Sequence, residues 1–98
     1  MNLQTAHKIS AIQTLLQNDE QLLEFLFSHK HPRLQNSPRK LLKESRSLPF
    51  QDQLLIQVAI DIWCEQGGTR FADLLSDWDH ENWISFLHAM ALLHEVTE

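Results

Sequence analysis

The sequence predicts an all-α protein, a compact bundle or orthogonal packing of about five to six helices, in one domain covering residues 1–98. Three observations predict it. Seventeen residues are leucine, Val and Thr together number six, and tyrosine is absent. Leucine, Gln, Glu and Lys lose little rotamer freedom in a helix, whereas strands favour β-branched and aromatic side chains. The two glycines are adjacent, Gly67 and Gly68, too few for the repeated tight turns of a sheet. Between prolines and capping residues, apolar side chains recur every three or four positions, the period of an amphipathic helix.

At the N-terminus Ile9, Ile12, Leu16, Leu23 and Leu26 set this period. Asp19 interrupts the stripe, and Asn18 with Gln21 has the spacing of a capping box. A helix at about 4–17 is therefore expected to end before a second at about 19–29. The alternative is one long helix with a polar residue in its apolar stripe. All three prolines, Pro32, Pro38 and Pro49, follow, and each disfavours helical backbone in the residue before it. Ser37-Pro38 reads as an N-cap and a proline at the first helical position, opening a helix to about 46. Arg39, Lys43 and Arg46 share one of its faces with Lys40 beside them, while Leu41 and Leu42 point toward the core.

Pro49 opens the next helix, and Gly67-Gly68 is expected to close it at about 66 through a left-handed C-cap. Leu54, Leu55, Val58, Ala59, Ile62 and Trp63 form an apolar arc that Ile56 and Ile60 widen, leaving one polar stripe of Gln53, Gln57, Asp61 and Glu65. A helix apolar around most of its circumference is either surrounded by neighbours or partly covered by another molecule. This segment is expected to be the central helix, with the last helix packed against it. Thr69 can cap a short helix at about 70–76 with Phe71, Leu74 and Leu75 inward. Asp79 is a good N-cap for a last helix at about 80–95, and Trp78 and Trp83 flank that cap at the spacing of a hydrophobic staple.

The net charge of −5 hides a sharp division. Residues 29–46 carry six cations against Glu44 alone, and residues 47–98 carry Arg70 against nine acids, so the two stretches are net +5 and −8. The lone Cys64 cannot form an internal disulfide, which fits a reducing compartment. No basic-then-apolar leader opens the chain. The most apolar stretch, residues 83–93, contains His88 and falls far short of the ~20 residues of a membrane span. A cytoplasmic protein with no membrane association is the expectation.

Six histidines raise the question of a metal. His29 and His31 are two apart in a loop-like segment, and His80 and His88 lie two turns apart on one helix. His80-Glu81 lacks the second histidine that a zinc-protease helix would place at Ile84. Asp77, Asp79 and Glu81 alternate like the start of a calcium loop, but Asn82 stands where the turn glycine belongs and His88 where the bidentate glutamate belongs. Cys64 falls in the last turn of its helix, where the negative end of the dipole disfavours a thiolate. Gly67-Gly68 follows a helix rather than a strand, so it is not a phosphate-cradling loop. No metal, cofactor, catalytic group or small-molecule substrate is expected.

What is left is binding. The two broad-arc helices hold more apolar surface than a chain of this length can comfortably cover, and all three tryptophans lie in that half. Tryptophan is enriched at interface hot spots, and opposite charge patches suit association. The expectation is a non-enzymatic protein-interaction module, a small adaptor, regulator or inhibitor that self-associates as a homodimer, with Trp63, Trp78, Trp83, Ile56 and Ile60 at the interface. The alternative is a nucleic-acid-associated accessory protein that places Lys30, Arg33, Arg39, Lys40, Lys43 and Arg46 on phosphates. Against it stand the net negative charge and the absence of stacking aromatics within the basic segment.

Overall fold

The computed structural model describes residues 3–27 and 34–96, and their side chains over residues 6–27 and 34–94. Among them are six α-helices: α1 (Leu3–Leu15), α2 (Glu20–Leu26), α3 (Pro38–Ser45), α4 (Phe50–Cys64), α5 (Phe71–Asp77) and α6 (His80–Val96). Each coincides with a segment expected from periodicity, and the break after α1 is present. The capping box is not. Asp19, not Asn18, is the N-cap of α2, and it makes no side-chain cap bond; likewise Arg70, not Thr69, is the N-cap of α5, again with no side-chain cap bond. An isolated antiparallel bridge between Phe27 and Leu34 closes the loop between α2 and α3, and the Gln35 side-chain amide donates to the Phe27 carbonyl at 2.8 Å. Pro32, His29, His31, Lys30 and Arg33 lie outside the described residues.

Three of the expected start signals operate as chemistry demands. Ser37 Oγ accepts from the Lys40 amide at 3.3 Å with Pro38 at the first helical position. Asp79 Oδ1 accepts from the Asn82 amide at 3.0 Å. Across that cap, Trp78 and Trp83 meet edge to face with centroids 5.9 Å apart, so the staple is formed. The end of α4 differs from expectation. Its left-handed cap is Glu65, at φ 63°, rather than a glycine. Gly68 is the next left-handed residue (φ 69°). Gly67 serves close approach, because a Cβ there would lie 2.0 Å from the Gln57 carbonyl oxygen.

α4 is the central helix, as its all-round apolarity requires. Leu54, Ile56 and Ile60 are fully buried, with Leu55, Val58 and Ala59 nearly so, and α1, α2, α3 and α5 pack around them. The expectation that α6 packs chiefly on α4 is corrected: its main partner is α1. The small buried residues Ser85 and Ala89, one turn apart on α6, and Ala11 on α1 explain that preference. Short side chains let helix axes approach, and Gln17 Nε2, in the turn just after α1, donates to Ser85 Oγ at 3.2 Å. With α6 anchored on α1, a gap is left between α6 and the far side of α4.

Gln51, in the first turn of α4, ties that helix to the junction of α5 and α6. Its side-chain oxygen accepts from the Asp79 amide at 3.1 Å and from Asn82 Nδ2 at 3.2 Å. Its amide nitrogen donates to the Asp77 carbonyl, and its own carbonyl accepts from the Trp78 indole at 3.4 Å. Sequence periodicity carries no trace of this clamp, since Gln51 has nothing to distinguish it from the other glutamines.

Candidate interaction groove

The gap between α4, α5 and α6 is a groove of about 490 Å³. Val58 and Ile62 of α4 form one wall, Phe86, Met90 and Leu93 of α6 the other, and Phe71 and Leu74 of α5 close one end. Lys8, Asp61, Glu65 and Thr69 stand at its polar edge. Its size and mostly apolar lining are those of a binding cleft. Apart from Phe50 at the start of α4, the large apolar side chains exposed among the described residues lie on α5 and α6. Phe71 is 62% exposed, Leu75 61%, Leu87 53% and Ile84 37%. Phe71 meets Trp83 edge to face at 6.1 Å, and Leu87 sits one turn beyond Trp83 on α6. Groove and rim are therefore one surface, since residues three and four apart on a helix are neighbours.

The polar groups at the edge have structural duties. Lys8 Nζ donates to the Trp63 carbonyl at 3.3 Å, placing a cation on the C-terminal end of α4, whose last turn has no basic residue. Asp61 holds the turn into α5, accepting from the Gly67 amide at 2.7 Å and the Thr69 amide at 2.9 Å. Burial pushes the Asp61 carboxyl up, but the Thr69 hydroxyl and the amides of Thr69, Gly67 and Gly68 outweigh it and hold the group below its ordinary 3.8. The Thr69 hydroxyl is buried and reaches hydrogen-bond geometry with no atom among the described residues, so it acts on the carboxylate as a nearby dipole.

A carboxyl lowered in the folded state contributes stability that is complete above its unfolded value and is lost as pH falls through the folded one. Asp61→Asn removes one of the two accepting oxygens and is expected to cost about 1–2 kcal/mol near pH 7. Urea denaturation of both proteins across the acid range should show that difference closing as pH drops below 3.8.

Of the five residues expected at an interface, Ile56 and Ile60 are fully buried within the chain. This corrects their assignment: as the innermost residues of the central helix they have no surface to offer. Trp78 is also inside, 6% exposed, with its indole bonded to Gln51. Trp63 is half-buried and packs edge to face on Phe27 at 5.1 Å. Trp83, half-buried, borders the exposed patch. The residues that do face outward, Phe71 and Leu75, were expected inward with Leu74. A helix of seven residues with α4 as its main neighbour can bury one stripe, and Leu74 occupies it. The shortness of α5 was the available signal.

In the basic segment Arg39, Lys43 and Arg46 are exposed on α3, and Lys40 is 4.0 Å from Glu44. Among the described residues no group of three or more His, Cys, Asp or Glu could hold a metal ion. No described helix is long and apolar enough to cross a membrane. No protein family model matches this chain, and no curated protein or solved structure is detectably similar to it.

Proposed function

We propose that this chain is a non-enzymatic protein-interaction module, acting through the α5–α6 face rather than through α4. The carrying observation is the continuity of the 490 Å³ apolar groove with exposed Phe71, Leu75 and Leu87. Large apolar side chains clustered on a surface mark binding sites when they border a concave apolar lining. A non-enzymatic reading is supported by the roles of Lys8 and Asp61, both of which hold the fold together at the groove edge. Sedimentation and partner retention test it. Phe71→Asp and Leu87→Asp, at largely exposed positions, should leave the helical content intact and abolish whatever association the wild type shows. A wild type that stays monomeric at high concentration and retains no partner refutes the reading.

A second reading is carried by the exposed cations Arg39, Lys43 and Arg46 on α3, none of which is ion-paired among the described residues. They would contact nucleic-acid phosphates. Binding should then weaken steeply with salt and disappear in the double variant Arg39→Glu with Lys43→Glu.

A further inference from the structure

We infer that the occupant of the groove is an amphipathic helix of a partner protein, with an apolar stripe about two turns long flanked by lysine or arginine. This rests on the interaction reading above and adds the chemistry of the partner. Length argues for a helix. The α6 wall runs from Phe86 to Leu93, about 10 Å of helix axis. A helical ligand presents anchors at i, i+3 or i+4, and i+7 over the same distance.

Charge argues for cations. Among residues whose side chains are described, α4, α5, α6 and their connections carry Asp52, Asp61, Glu65, Asp73, Asp77, Asp79 and Glu81 against Arg70, and Lys8, the cation in the groove lining, already donates to the Trp63 carbonyl. Asp61 and Asp79 are occupied by backbone amides. The other five acids have no cation within ion-pair distance there, where the ion pair found is Lys40–Glu44 on α3. Glu65 lines the groove itself, and with the other unneutralised carboxylates on the same three helices it favours a cationic partner over an anionic one.

The same charge weighs against a second copy. A two-fold contact presents the same patch from both sides and would bring two acidic faces together, at the cost of like-charge repulsion. A glutamate-flanked helix meets the same obstacle.

The test uses the full 98-residue protein and two labelled peptides of about 18 residues sharing one apolar i, i+3/i+4, i+7 register. One has lysine flanks and the other glutamate flanks. Fluorescence anisotropy should show the lysine peptide binding at least about tenfold tighter at low salt, with the gap closing as salt screens it. Phe71→Asp and, separately, Leu87→Asp should abolish binding. Glu65→Gln combined with Glu81→Gln should weaken it several-fold, whereas Glu24→Gln on α2 should leave it unchanged. Equal binding of both peptides overturns the cationic partner while the interaction reading stands. No binding of either, with a dimer that Phe71→Asp dissociates, makes a second copy the occupant and overturns the inference. No binding by a monomer overturns both.

Discussion

Gly67→Ala is expected to destabilise the fold by about 3 kcal/mol, the upper range for forcing an extra methyl group into packed structure. The new Cβ would sit 2.0 Å from the Gln57 carbonyl oxygen, with the Asp61 side chain at 2.8 Å. The first contact is helix backbone, which cannot swing aside as a flexible side chain would. Relief requires the turn to lift off α4, and lifting it stretches the bonds from Gly67 and Thr69 to Asp61. In a domain of this size the melting temperature should fall by more than about 10 °C. Gly68→Ala is the informative control. Nothing lies within 4 Å of its added Cβ, and the burden is its φ of +69° alone, about 1–2 kcal/mol. Thermal denaturation of the two variants should rank them Gly67 well below Gly68. The reverse order would mean that the turn does not pack on α4 as described.

Ile60→Ala should cost about 2–4 kcal/mol, through lost transfer free energy and the cavity left behind. Ile60 is fully buried in the middle of the central helix. Leu87→Ala, by contrast, should fall within about 0.5 kcal/mol of wild type, because that side chain is 53% exposed. Denaturant midpoints measure the first difference, and binding to the lysine-flanked peptide measures the second. Ile60→Ala should retain affinity in conditions where it is folded, and Leu87→Ala should lose it. This double dissociation separates the residues that build the groove's support from those a partner would touch. An Ile60 variant of wild-type stability would place α4 at the surface and restore it as an interface.

Much of the fold was legible because the relevant forces are local. Ser37 and Asp79 start helices by accepting from amides three residues on, Pro38 does so through its fixed φ at the first helical position, and the Trp78–Trp83 staple spans one turn. The expected capping box at Asn18 and the glycine cap of α4 failed for a related reason. Each signal was real as a type, but a neighbouring residue took the position, Asp19 in one case and Glu65 in the other.

The site was much less legible. Periodicity identified α4 and α6 as apolar around most of their circumference, but it could not say which neighbour would cover which face. Ile56 and Ile60 look as available in sequence as Leu87 does, and burial reverses that impression. On α5, Phe71, Leu74 and Leu75 are equally apolar, yet Leu74 is the one inside.

The sequence alone determined an all-α bundle of five to six helices, the starts at Ser37-Pro38 and Asp79, the central place of α4 and the separation of basic from acidic stretches. Those follow from rotamer entropy, capping and periodicity, all of which act over a few residues. Tertiary structure alone decided that α6 lies on α1, through Ser85, Ala89 and Ala11, that Gln51 clamps the α5–α6 junction, and that a groove opens as a result. Those outcomes depend on which surfaces meet across 30 to 80 positions of chain, a choice made by the complementarity of whole helix faces rather than by any single residue.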